Sequence, residues 1–221
     1  LIPVGYAIWQ SLHGTVRSGL GIGAATTRFV GLANYAQALQ DQEFIASILR
    51  MLLFGVVQVP IMLGMALVLA LIFDSSVALF RRFFQFAAFL PYAIPGIVAS
   101  ILWSFLYLPG VSPVVSTLQA LDLPVNFLAP GTVLWSIANI VTWQWTGYNM
   151  LIIFAALQAL PHDIFEAARV DGASGWTINT RIKVPLVLPS IILTAVFSII
   201  GTLQLFSEPM IVRTLTNNVT S

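Results

Sequence analysis

Few side chains in this chain could make or break bonds. Its 221 residues include 9 Lys and Arg, 8 Asp and Glu, 2 His and no Cys. Without cysteine there can be no disulfide, thiolate metal site or cysteine nucleophile. His13 and His162 lie far apart, in connections, with no neighbouring ligand pattern, so no metal is expected. Gly19, Gly21 and Gly23 cluster, but Ala24 stands where a dinucleotide fingerprint needs its third glycine, and no buried strand precedes them. No G-x-x-x-x-G-K-[ST] occurs, so the chain is not expected to bind ATP through a Walker loop. A membrane protease would need a Ser/His pair or two aspartates inside apolar stretches, and the stretches offer neither. The expectation is a chain with no catalytic residue and no cofactor of its own.

The residues that do dominate are apolar. Hydrophobic types make up 58% of the chain and charged types 8%, against about 25% charged in a soluble domain. So few charges cannot build a polar shell, whereas a bilayer presents lipid to the apolar blocks. A net charge of +1 and the lack of a basic run speak against nucleic acid. Four stretches, 44–73, 83–108, 131–157 and 185–206, each exceed or reach the roughly 20 residues that cross about 30 Å of hydrocarbon. Residues 1–12 would make only about 18 Å of helix; they are expected to be the second half of a span whose start is missing. The fold class expected is all-α: a polytopic transmembrane helix bundle, truncated at both ends.

Arg81 and Arg82, and Arg169, Arg181 and Lys183, bias the connections 74–82 and 158–184 toward the cytoplasm. His13 and His162 then fall on opposite sides of the membrane. Arg50 is expected to snorkel from the first full stretch to the outer interface, and Glu208 to sit just past the last span. Pro60, Gly64, Pro91, Pro95, Gly96, Gly147, Pro189 and Gly201 recur inside the stretches, either for close helix packing or as kinks that open and close a path.

The segment 160–184 has a different character. Pro161 suits a helix start, Asp163 and Glu166 suit the positive end of its dipole, Gly172 can close it, and Ser174 can cap a second helix beginning at Gly175 or Trp176. A helix–turn–helix elbow results, open to two readings: a docking elbow for another protein, or an amphipathic linker on the membrane surface.

Glu166-Ala167-Ala168, Asp171-Gly172-Ala173 and Ile182-Lys183-Val184-Pro185 closely resemble the EAA loop of permease subunits from bacterial ABC importers, with Val184 in place of the usual leucine before Pro185. Phe29-Val30-Gly31-Leu32-Ala33-Asn34-Tyr35 resembles the F-x-G-L-x-N-Y signature of the binding-protein-dependent carbohydrate permeases of maltose and glycerol-phosphate type. Arg81-Arg82-Phe83-Phe84 followed by Phe89-Leu90-Pro91 is similar to that family's third helix and the connection before it. The similarity keeps order and spacing over nearly the whole chain.

The resemblance implies a type I importer transmembrane domain in the bacterial cytoplasmic membrane. Its implied partners are a second permease subunit, two ATP-binding cassette subunits carrying ATP and Mg, and an extracytoplasmic sugar-binding protein. Glu166, Ala167, Ala168, Asp171, Gly172 and Ala173 become the ATPase-coupling residues, and a further helix is expected after Ser221. A sugar path needs aromatic faces and hydrogen-bonding groups. Asn139, Trp143, Gln144, Trp145, Tyr148 and Asn149, with Gln204, Ser207 and Glu208 after the elbow, are the candidates; interface anchoring and helix gluing remain the alternative for them. The same machine carrying a non-sugar solute, and a non-transporting membrane scaffold, are the competing functions.

Overall fold

A computed structural model describes residues 2–17, 25–75, 80–123 and 125–216. The glycine cluster at 19–23 lies outside the described residues. The chain divides into two compact units, Leu1–Leu52 and Leu53–Ser221, with the boundary inside one long helix.

The first unit holds α1 (Ile2–Ser11), an antiparallel hairpin of β1 (His13–Arg17) and β2 (Ala25–Phe29), α2 (Ala33–Gln40) and the start of α3 (Gln42–Asp74). The hairpin pairs His13 with Phe29, and their rings meet edge to face at 5.4 Å. The F-x-G-L-x-N-Y segment has a structural job here. Gly31 takes a left-handed φ of 57°, which favours glycine. Asn34 Nδ2 donates to the carbonyls of Ser11 and His13 at 2.8 and 3.1 Å, and the Tyr35 and Ser11 hydroxyls bond at 2.7 Å. Asp41 Oδ1 accepts the backbone N–H groups of Glu43 and Phe44 at 2.9 and 3.2 Å and so caps α3. Arg50 donates to the Ser47 hydroxyl at 3.0 Å, one turn back on the same helix.

The second unit continues α3 and adds α4 (Arg81–Ala93), α5 (Gly96–Tyr107), α6 (Pro113–Ala120), α7 (Val133–Gln158), α8 (His162–Val170), α9 (Gly175–Thr177), a π-helical turn at Ile178–Lys183, α10 (Val184–Leu203) and α11 (Ser207–Arg213). Among the described residues, three helices are long and apolar enough to cross a membrane: α3, α7 and the run Gly175–Leu203. Among them α7 is central, with 50% of its apolar window buried against 39% for α3 and 17% for the last. One buried cluster joins Phe54, Tyr107, Ile137, Ile140 and Val212 around the first half of α7. A second joins Ala66, Ala70, Met150, Ile153 and Val187 around its second half.

The stretch expected as one span, 83–108, is built as α4 and α5, bent by 99° at a short break. Proline chemistry explains the break. A residue before proline is driven out of the helical region, and Ile94 sits at φ −82°, ψ 128° ahead of Pro95. Pro95 has no N–H to continue the ladder, and α5 restarts at Gly96. At 12 residues, α5 is only about 18 Å long.

α4 meets α7 at Gly147. A Cβ there would lie 1.9 Å from the Ala88 carbonyl oxygen and 2.6 Å from its carbon, so the two backbones touch. The base of the elbow is fixed by charge. Lys183 pairs with Asp74, side chains 13% and 8% exposed, and Gln158 Nε2 donates to the other Asp74 oxygen at 2.6 Å. The same ammonium lies 4.9 Å from the ring of buried Phe165 on α8, tying the ends of α3 and α7 to both arms of the elbow.

Gly147→Ala is expected to cost about 1–3 kcal/mol by overpacking, whereas Gly64→Ala, with nothing within 4 Å of the added carbon, should leave thermal unfolding in detergent unchanged. Asp74→Asn leaves a buried ammonium without its counter-charge, a loss of about 3–5 kcal/mol. It should speed amide hydrogen exchange across α8, and adding Lys183→Met should restore most of the protection.

Candidate functional site

The elbow is a helix stop built by backbone hydrogen bonds. Pro161 takes the cap position, one residue before where its sequence suggested, and α8 runs to Val170. Ala173 N–H donates to the Ala168 carbonyl at 2.9 Å and Gly172 N–H to that of Arg169 at 3.0 Å. This crossed pair is a Schellman closure, which requires a left-handed residue at position 172; Gly172 has φ 82°. The Ser174 hydroxyl then accepts the Thr177 N–H at 3.2 Å and starts α9 at Gly175.

Of the elbow residues singled out in sequence, Glu166, Ala167, Asp171 and Gly172 are exposed and Ala168 and Ala173 half-buried. They flank a surface that also carries Val170, 88% exposed, and Trp176, 78% exposed. Sequence reasoning named Trp176 only as a possible helix start and did not single out Val170. An apolar residue on the solvent side of an otherwise polar helix was the signal available.

The polar and aromatic residues of α7 divide between two faces. Trp145, Tyr148 and Asn149 line a cavity of about 300 Å³ together with Gln204, Ser207 and Glu208 from the end of α10 and the start of α11. Tyr92 of α4 stacks on Tyr148 with ring centroids 4.6 Å apart and meets Trp145 edge-on at 5.2 Å. Asn149 Nδ2 bonds the Trp145 carbonyl at 3.1 Å, and its residue is 1% exposed.

Asn139 and Trp143 do not reach this cavity. Asn139 donates to the Tyr107 hydroxyl at 2.8 Å, and Trp143 meets Trp103 edge-on at 5.7 Å. At about 100° per residue they lie on the side of α7 opposite Val141, Trp145 and Tyr148, a division the sequence spacing already contained. Gln144 lies between the faces. Its Nε2 donates at 2.8 Å to the Ile94 carbonyl, which the proline break has left without a helical partner.

Glu208, expected just past a span at the interface, is instead buried at 9% exposure. α11 folds back against α5, and a Cβ on Gly96 would come within 2.8 Å of Glu208 Oε1. Two further contributors escaped the sequence. Gln58 of α3, 2% exposed, donates to the Thr142 hydroxyl at 3.3 Å and accepts from Thr202 at 3.5 Å, linking α3, α7 and α10. Its signal was a lone amide within a long apolar helix. Tyr92 was the other, a polar-tipped ring between two prolines.

Residues 63–213 match the family described as the binding-protein-dependent transport system inner membrane component. The chain is 36% identical over 210 residues to the lactose transport system permease protein LacF of Rhizobium radiobacter, covering 92% of this chain and 68% of that protein. It is 33% identical over 190 residues to the sn-glycerol-3-phosphate transport system permease protein UgpA of Yersinia pseudotuberculosis serotype I (strain IP32953), covering 86% and 63%. Its fold resembles a chain of the bacterial alginate ABC transporter crystallised with an alginate pentasaccharide-bound periplasmic protein, with TM-score 0.71, 25% identity, and coverage of 76% of this chain and 59% of that one. The chain thus spans between 59% and 68% of the lengths of these three proteins. With its membrane-length helices, its EAA-type elbow and a family match over most of its residues, the chain belongs to the inner-membrane permease components of binding-protein-dependent transport systems.

Proposed function

We propose that this chain is a pore-forming subunit of an ATP-driven importer that moves a sugar or oligosaccharide across the cytoplasmic membrane by alternating access. The observation that carries the reading is the cavity lined by the aromatic residues Trp145 and Tyr148 beside Asn149, Gln204, Ser207 and Glu208. Aromatic faces stack on sugar C–H surfaces while amides and hydroxyls bond sugar hydroxyls, and the volume of about 300 Å³ suits a small polar solute. The relationship to a lactose permease supports the same class.

In this reading a second permease completes the pore, and an extracytoplasmic sugar-binding protein delivers the solute. Two ATP-binding cassette subunits hold ATP and Mg, so this chain performs no catalysis itself. They grip the elbow at Glu166, Ala167, Ala168, Asp171, Gly172 and Ala173, with Val170 and Trp176 as apolar contacts. The Lys183–Asp74 pair and Phe165 join that elbow to the ends of the long helices. A push on α8 would therefore be delivered to α3, α7 and α10 as a rigid-body displacement.

A second reading keeps the machine and changes the cargo to a phosphate ester, as the relationship to a glycerol-phosphate permease allows. Uptake of radiolabelled sugar and of glycerol 3-phosphate by cells expressing the full operon separates the two. Under the sugar reading, Tyr148→Ala should lower sugar uptake about tenfold or more, the loss expected for one stacking ring in a closed site, with the complex still assembled. Unchanged uptake would leave the cavity without a role. Gly172→Val forces a β-branched residue into left-handed backbone at about 1–2 kcal/mol without any clash. Its spans should insert normally while substrate-stimulated ATP hydrolysis falls several-fold, and full stimulation would remove the elbow from the coupling route.

A further inference from the structure

The cavity is lined by amides and hydroxyls, which both donate and accept, and by one carboxylic acid. Glu208 is the single charged residue among its described lining, which includes no Lys, Arg or His. Glu208 as a residue is 9% exposed, and no described side chain forms an ion pair with its carboxylate. A second acceptor, outside the cavity lining, has no donor among the described residues. The Gln144 amide is oriented by its Nε2 bond to the Ile94 carbonyl, which leaves Oε1 as the free end, buried and without a hydrogen-bond partner among the described residues. Both oxygens converge on the backbone of Gly96: a Cβ there would be 2.8 Å from Glu208 Oε1 and 3.9 Å from Gln144 Oε1. Glycine at this position is what lets the carboxylate approach.

A buried acceptor without a donor is costly, and a buried carboxylate repels a second anion strongly because little solvent screens the pair. A solute rich in O–H donors can hydrogen-bond the carboxylate that lines the cavity without bringing a second negative charge. A phosphate ester or a sugar acid brings that second negative charge into the site.

We propose that Glu208 sets the charge class of the solute. It accepts hydrogen bonds from an uncharged, hydroxyl-rich molecule and excludes anionic sugars and phosphate esters. This rests on the sugar-importer reading and narrows it to neutral saccharides or polyols.

The test uses the complete complex with its partner permease and ATPase subunits, in nanodiscs and without the binding protein, so that only the membrane site selects. Equilibrium binding is measured for probe pairs that differ chiefly in charge: lactose and lactobionate, maltose and maltobionate, glycerol and glycerol 3-phosphate. The expected result is a neutral member that binds roughly tenfold or more tighter than its anionic counterpart, the scale of a like-charge penalty in a closed site. Glu208→Gln should shrink that gap mainly by improving the anion, while Glu208→Asp, which keeps the charge, should preserve it. A gap that is the same in Glu208→Gln and in the wild type overturns the role of Glu208 and leaves the sugar reading intact. Wild-type binding of anionic probes as tight as neutral ones overturns the proposal even if the glutamine variant fails to assemble. Binding of no saccharide of either charge, by a complex that still hydrolyses ATP, overturns both readings.

Discussion

Pro95 cannot donate a backbone hydrogen bond, and it forces Ile94 into extended backbone, so the end of α4 is left with carbonyls that a continuous helix would have satisfied. In an apolar surrounding such a group is expensive. The Gln144 amide of α7 takes one of them, and the amide can reach it because Gly147, almost one turn further on, allows α7 to lie directly on the α4 backbone. The 99° bend, the close crossing and the amide bond are therefore one arrangement. The arrangement also brings Tyr92 to Tyr148 and places Gly96 opposite Glu208, so the walls of the cavity depend on it.

At the other end of α7 the controlling interaction is ionic. Asp74 closes α3, Gln158 closes α7 and Lys183 leads into α10, and the three meet around a single carboxylate. Buried ion pairs contribute little net stability against an apolar alternative, yet they penalise misplacement heavily. Such a pair therefore fixes the geometry at the base of the elbow. The Schellman closure at Gly172 serves the same end by satisfying the last carbonyls of α8 internally. The outward surface of the elbow is then left to exposed small and apolar side chains.

Much was legible in the sequence. Three of the apolar stretches correspond to single long helices, and the elbow follows the order of cap, helix, glycine stop and second cap read from Pro161 to Ser174, offset by one residue at its start. These features are local. Helix starts and stops depend on a few neighbouring residues, and span length depends only on a run of apolar types. The candidate residues of α7 were only partly resolved, because composition marked the helix as unusual without saying what each face would meet.

What the sequence by itself determined was membrane residence, the family and the elbow, because each is encoded by residue type over short windows. Tertiary structure alone decided that Gln144 serves a broken helix, that Asn139 and Trp143 turn to other partners, and that Gln58 links three helices. It also decided that Glu208 is buried against Gly96, which lies far away in the sequence. The physical reason is the same in each case: an amide or carboxylate acquires its role from the group placed opposite it, and the chain brings that group from a distant helix.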